Sequence, residues 1–299
     1  MKKQNTFIIG APKCGTSAMA NYLNQHPDIY VSPVKEPHYF IEEDMPEKAD
    51  IDYEQYMELF NGVTNESVIL EASVWYLYGK NAIKNIYQFN PKSKIIIMLR
   101  RPDEMVYSMQ NHAHLTRNDD LDDFDTAWSL NDSRKRGLNI PKHCRDKSML
   151  FYDEIAKYSE QIERVYKYFD KKNVKIIFYD DLKENTEETY IKLLSFLGVK
   201  KIKLANYKTI NKSKKIKNSF LGDLTRRPPA FIGLLVAFVK KITGIKKLNI
   251  LNKLTELNQY EIKREPLSEE MKRKIIDNYS EDIKKLELIV NRDLKEWLK

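Results

Sequence analysis

Cysteine is nearly absent from this chain: its 299 residues hold two, Cys14 and Cys144. Two cysteines cannot build a disulfide framework, and they fit a reducing compartment. Histidine is also scarce, with five in all. No His-x-x-x-His or cysteine pair has ligand spacing, so the sequence offers no metal site. Zinc-finger spacing and an arginine-rich arm are missing too, which argues against nucleic acid as partner. The net charge of +8 suits a small anionic ligand instead.

Long apolar runs are lacking. The longest, Ala230–Val239, lies between Arg226-Arg227 and Lys240-Lys241 and falls far short of the ~20 residues that span a bilayer. It reads as a buried or capping helix. A membrane-surface helix and the wall of an apolar pocket are the alternatives. The run after Met1-Lys2-Lys3 is too short for a secretory signal, so a cytoplasmic protein is expected. There is no internal repeat, low-complexity linker or composition break, and one domain over 1–299 is expected.

Strand-like apolar runs alternate with helical patterns, which predicts an α/β fold around a mainly parallel sheet. Strands are expected at Thr6–Ile9, Val68–Glu71, Lys94–Leu99 and Val174–Tyr179. Helices are expected at Ser17–Gln25, Tyr53–Phe60, Lys80–Tyr87, Asp103–His114, Phe151–Phe169 and Glu187–Leu197, with Gly198 as a C-terminal stop. Leu248–Leu257 also reads as helical, and a last helix is expected to begin near Ser268.

The segment Thr6–Ser17 carries the chemistry. Phe7-Ile8-Ile9 ends at Gly10, a loop with Lys13 and Gly15 follows, and Thr16-Ser17 opens a helix. Strand, glycine loop and helix N-terminus together make a phosphate cradle, because the first N–H groups of a helix are free and its dipole favours an anion. Gly10 and Gly15 have Walker A spacing, but Thr16 stands where the Walker lysine belongs and Lys13 lies inside the loop. A second strand, Ile95–Leu99, ends in Arg100-Arg101-Pro102. Pro102 is suited to a first helical turn, and Ser108 follows on the helix. Ligands of open α/β sheets bind at the carboxyl ends of strands, where an arginine can grip phosphate.

Pro12-Lys13-Cys14-Gly15-Thr16-Ser17 resembles the 5′-phosphosulfate loop of sulfotransferases that use 3′-phosphoadenosine 5′-phosphosulfate (PAPS). Arg100, Pro102 and Ser108 are similar to that family's 3′-phosphate motif, with Met105 at the position of its usual second arginine. Lys35-Glu36-Pro37-His38-Tyr39-Phe40 resembles a segment of the heparan-sulfate-type members. Glu71-Ala72-Ser73-Val74-Trp75-Tyr76 follows another family segment, with Ala72 where many members have lysine. Val174–Leu182, Phe196-Leu197-Gly198 and Tyr279–Trp297 resemble structural segments, the last of them that of bacterial members.

The resemblance implies a P-loop-like parallel sheet flanked by helices, with a helical C-terminal portion. It implies sulfuryl transfer from PAPS, leaving 3′-phosphoadenosine 5′-phosphate (PAP), to a small-molecule or carbohydrate acceptor without a metal. Glu36 is then the general base, helped by Lys35 and by His38, which an extended chain would place on the same face. Lys13 would stabilise the leaving phosphate. Cys14, Gly15, Thr16 and Ser17 would bind the 5′-phosphate. Arg100, Ser108 and the basic residues Lys212 and Lys214 would bind the 3′-phosphate. His112 is a candidate acceptor contact. Trp75 is either a core aromatic or a flank of adenine or acceptor. The rival is a P-loop kinase or other nucleotide triphosphatase, with Glu71 as its candidate Mg²⁺ acid.

Overall fold

The computed structural model describes residues 3–41, 51–142, 144, 147–207, 214–217, 257–261 and 265–299. Lys212, the Ala230–Val239 run and all of the 248–257 stretch except Leu257 lie outside the described residues. No helix among the described residues is long and apolar enough to cross a membrane.

The strands are β1 (Thr6–Gly10), β2 (Ile29–Val31), β3 (Val68–Ala72), β4 (Lys94–Leu99) and β5 (Val174–Phe178). They form one sheet in the order β2-β3-β1-β4-β5, and every pairing is parallel. Phe7–Ile9, Leu70 and Ile95–Leu99 have no solvent exposure. Such unbroken apolar runs belong to a sheet covered on both faces. Each such side chain contributes about 1.5–3 kcal/mol by burial. The order sets β1 and β4 side by side at the centre, so the loops that leave them open at the same edge.

The helices are α1 (Thr16–Leu23), α2 (Tyr53–Glu58), α3 (Ala82–Phe89), α4 (Pro102–Leu115), α5 (Phe124–Ser129), α6 (Asn131–Lys135), α7 (Tyr158–Tyr166), α8 (Tyr179–Glu184), α9 (Thr186–Leu197) and α10 (Glu269–Val290). A ribbon of β6 (Lys214–Ile216) and β7 (Gln259–Glu261) is antiparallel, and β6 lies against α4. Ser268 caps α10 by accepting from the Met271 N–H, and Gly198 ends α9 in the left-handed conformation. The expected P-loop-like parallel sheet with flanking helices and a helical C-terminal portion is the observed fold.

The short elements β2, α5, α6, α8, β6 and β7 are not among those expected, and two expected elements differ in extent. The helix expected over Phe151–Phe169 is confined to Tyr158–Tyr166. The residues before it are claimed by α10: the Tyr279 hydroxyl donates to the Tyr152 carbonyl and accepts from the Ala156 N–H, and the Asp282 carboxylate accepts from the Ser159 N–H at the start of α7. These contacts satisfy the backbone without a helix there. The strand expected to reach Tyr179 stops at Phe178, and Tyr179 instead opens α8.

Past α4, the chain is pinned by a fully buried ion pair. Arg134 on α6 makes two bonds to Asp119, at 3.0 and 2.9 Å, and Tyr152 donates to the same carboxylate at 2.8 Å. Removing one partner leaves an uncompensated buried charge. Arg134→Ala is therefore expected to lower stability by about 3–5 kcal/mol, measured by urea unfolding. A loss below about 1 kcal/mol, the range of an exposed pair, would show that the bridge is not a structural pin.

Candidate functional site

A cavity of about 630 Å³ opens at the carboxyl ends of β1 and β4 and is lined by Lys13, Gly15, Thr16, Ser17, Lys35, Glu36, Trp75, Arg100, Ser108 and His112 among others. The size suits a small-molecule site.

Its floor is the turn between β1 and α1. Gly15 precedes the helix with φ 87°, and no side chain caps the first turn. A Cβ at Gly15 would approach Leu182 Cδ2 to 2.9 Å. Glycine is thus required both by the left-handed backbone and by the close packing of α8. The uncapped first-turn N–H groups have no intrahelical partner, and Gly15, Thr16, Ser17 and Ala18 all line the cavity. Lys13, also left-handed at φ 63°, presents its side chain to the same space. Partial burial and the neighbouring Arg100 lower its pKa. Cys14, between them, turns the other way. It is fully buried, with Sγ 3.3 Å from the Pro12 carbonyl, and burial pushes its thiol up to about 12. Its side chain is a packing group rather than a ligand contact.

Arg100 leaves β4 and is fixed on three sides. Its Nε donates to Glu104 at 2.8 Å, Nη1 reaches the Lys13 carbonyl at 3.4 Å, and the guanidinium lies 4.4 Å from the Tyr179 ring centroid. Ser108 faces the cavity from α4, two turns further on. Arg101 is paired with Asp103 and is not among the cavity residues, and Met105 is fully buried. The arginine that the sequence motif lacks is therefore not supplied by Arg101.

Lys35 and Glu36 enter from the segment after β2 and form an ion pair at the cavity wall. Partial burial, together with the Lys13 charge, brings Lys35 down to about 8. The expected extended chain through Glu36 and His38 is not found. Both residues have left-handed backbones, at φ 59° and 52°. His38 consequently turns into the core, 1% exposed, and does not reach the cavity. Burial, then the Lys35 charge, lowers its pKa to about 4, so its imidazole is neutral at ordinary pH. Trp75 is a core aromatic, 2% exposed, with an edge on the cavity. His112 lines the cavity, whereas His114 does not. Lys214 opens β6.

Part of the lining comes from residues that no sequence motif marks for the site. Tyr22, Tyr179, Leu182, Lys183, Thr186 and Tyr207 also line the cavity, and Tyr22 packs edge-on to Tyr207 with ring centroids 5.3 Å apart. Tyr179 had a usable signal: it directly follows a strand whose carboxyl end adjoins that of β4. Glu71, the acid considered for Mg²⁺, is fully buried and lies outside this cavity.

The pattern that defines the sulfotransferase domain matches residues 3–226. The chain belongs to the sulfotransferase family. The fold is that of a sulfotransferase from Alicyclobacillus acidocaldarius, 24% identical, with a TM-score of 0.74 over the whole of both chains. Among curated sulfotransferases, human carbohydrate sulfotransferase 15 is 21% identical over 64% of this chain and 43% of its own length. Human heparan sulfate glucosamine 3-O-sulfotransferase 6 is 26% identical over 41% of this chain and 37% of its own. The chain thus spans less than half the length of these relatives.

Proposed function

We propose that the cavity binds PAPS and that the protein transfers its sulfuryl group to a hydroxyl or amine of a small-molecule or carbohydrate acceptor. One observation carries this reading: Lys13, Glu36 and the uncapped start of α1 all face a single cavity. An uncapped helix start favours an anion, and Lys13, whose side chain makes no hydrogen bond or ion pair among the described residues, is the cation beside it.

The donor would supply a sulfuryl group already activated on a phosphate. The N–H groups of Gly15, Thr16 and Ser17 would hold the 5′-phosphate end. Lys13 would offset charge developing on the bridging oxygen. Arg100 and Ser108 would hold the 3′-phosphate, with Arg100 preset by Glu104 and Tyr179. Glu36 would take the acceptor proton, with Lys35 paired beside it. Tyr22, Tyr179 and Tyr207 offer aromatic surface for the adenine, and His112 with the edge of Trp75 lies on the acceptor side. Cys14 and His38 act from the core, through packing. The scarcity of cysteine and the nucleotide donor suit the cytoplasm, and the whole chain is read as one domain.

The reading is tested by incubating the protein with PAPS and a panel of phenols, amines and oligosaccharides, in excess EDTA, and following sulfated product by mass spectrometry. Transfer in chelator is expected. Turnover of ATP that EDTA abolishes and Mg²⁺ restores, with none of PAPS, would overturn it in favour of a kinase or triphosphatase.

A further inference from the structure

The left-handed backbone at Glu36 and His38 calls for an account, since neither residue favours it: non-glycine residues at positive φ are held there by their surroundings. The surroundings are the last residue of β3 and those that follow it. The Glu36 N–H donates to the Ala72 carbonyl at 2.9 Å, the His38 N–H to Ser73 Oγ at 3.1 Å, and the Phe40 N–H to the Tyr76 hydroxyl at 3.3 Å. Every second residue of 36–40 is thus tied to 72–76. Behind this bracket lies Glu71. Its Oε2 accepts from Tyr76 at 2.9 Å and from Tyr56 at 3.0 Å. Tyr56 in turn stacks on Tyr39 with ring centroids 4.2 Å apart and planes 9° apart. Glu71, Ser73, Tyr76 and Tyr56 are fully buried.

We propose that Glu71 is a positioning residue: through the Tyr76 and Tyr56 hydroxyls it clamps the 36–40 segment and so sets where the Glu36 carboxylate stands in the cavity. This rests on the assignment of Glu36 as the base. A carboxylate in this place is otherwise hard to justify. A buried acid costs free energy unless its bonds are used, and one oxygen, Oε1, has no hydrogen-bond partner among the described residues. Burial raises its pKa to about 7, against the pull of the hydroxyls around it. Two tyrosines converging on one oxygen fix both rings at once. The Tyr76 oxygen is then oriented to accept the Phe40 N–H, since its own proton is committed to Glu71. A phenylalanine at 76 would keep the packing and lose both bonds.

The test uses hydrolysis of PAPS, with water in place of the acceptor hydroxyl, read as PAP formed. Calorimetry with PAP reports the donor site, and amide hydrogen exchange reports the segment. Tyr76→Phe is expected to slow PAP formation at least tenfold in the wild-type background and less than twofold in the Glu36→Gln background. PAP affinity should stay within threefold, and the His38 and Phe40 amides should exchange faster. Glu71→Leu is expected to behave likewise, and Glu71→Gln, which keeps an acceptor oxygen for the tyrosines, to recover most of the rate lost. An equal loss in both backgrounds, an unchanged rate in Tyr76→Phe, or a collapse of PAP affinity would each overturn the proposal. Its failure is distinct from that of the base assignment. If Glu36→Gln alone leaves hydrolysis unchanged, Glu36 is not the base. If Glu36→Gln slows it and Tyr76→Phe does not, only the clamp is wrong.

Discussion

Lys13→Ala is expected to remove nearly all sulfuryl transfer while leaving the fold intact. The ammonium faces the cavity at the turn into α1, beside N–H groups that no side chain caps. A cation fixed where charge develops acts on the transition state more than on the ground state. Deleting one such donor in a preorganised site costs about 10²–10³ in rate, or roughly 2.7–4 kcal/mol. Stability should change little, because the Lys13 side chain has no hydrogen bond or ion pair among the described residues to lose, and its charge sits near Arg100 and Lys35. Removing that repulsion offsets the lost packing of the stem. The check is the rate of PAP formation from PAPS, with a thermal melt of the same sample. Turnover within about threefold of wild type would remove Lys13 from the mechanism.

Glu36→Gln carries the second large effect. The variant keeps the shape of the side chain and its place beside Lys35, but cannot take a proton. Positioned general bases contribute about 10²–10⁴ in rate, and a loss of that size is expected in kcat. PAP affinity should be retained, because the donor end is built from the β1 and β4 loops, and Glu36 enters from beyond β2. Calorimetry separates the two quantities. If PAP binding fell together with turnover, Glu36 would be holding the cavity together rather than doing chemistry.

What the sequence made legible is local. Gly10, Lys13, Gly15 and Thr16 lie within one turn, so the phosphate cradle is written in consecutive residues. Phe7–Ile9 and Ile95–Leu99 are unbroken apolar runs, and parallel central strands follow from that. What was hidden depends on residues far apart in the chain. Tyr179 and Tyr207 reach the cavity only because β5 adjoins β4 and α8 follows it. The backbone at Glu36 and His38 is held by bonds to 72–76, not by local preference, so local sequence points to an extended chain whereas His38 turns into the core. Residues 151–157 read as helix until Tyr279 and Asp282 of α10 take their backbone partners. Met105 departs from the family motif because that face of α4 is core here, and a charge would be buried without a partner.

The central claim is that the cavity is a site for a doubly phosphorylated adenosine, and calorimetry tests it most directly by comparing PAP, 5′-AMP and ATP with Mg²⁺ on the intact chain. The 3′-phosphate should add one or more charge-assisted hydrogen bonds from Arg100 and Ser108, each worth about 1.5–3 kcal/mol. PAP is therefore predicted to bind at least about tenfold more tightly than 5′-AMP, and Arg100→Ala to erase the difference. Equal affinity for PAP and 5′-AMP, or preferential binding of ATP with Mg²⁺, would contradict the account.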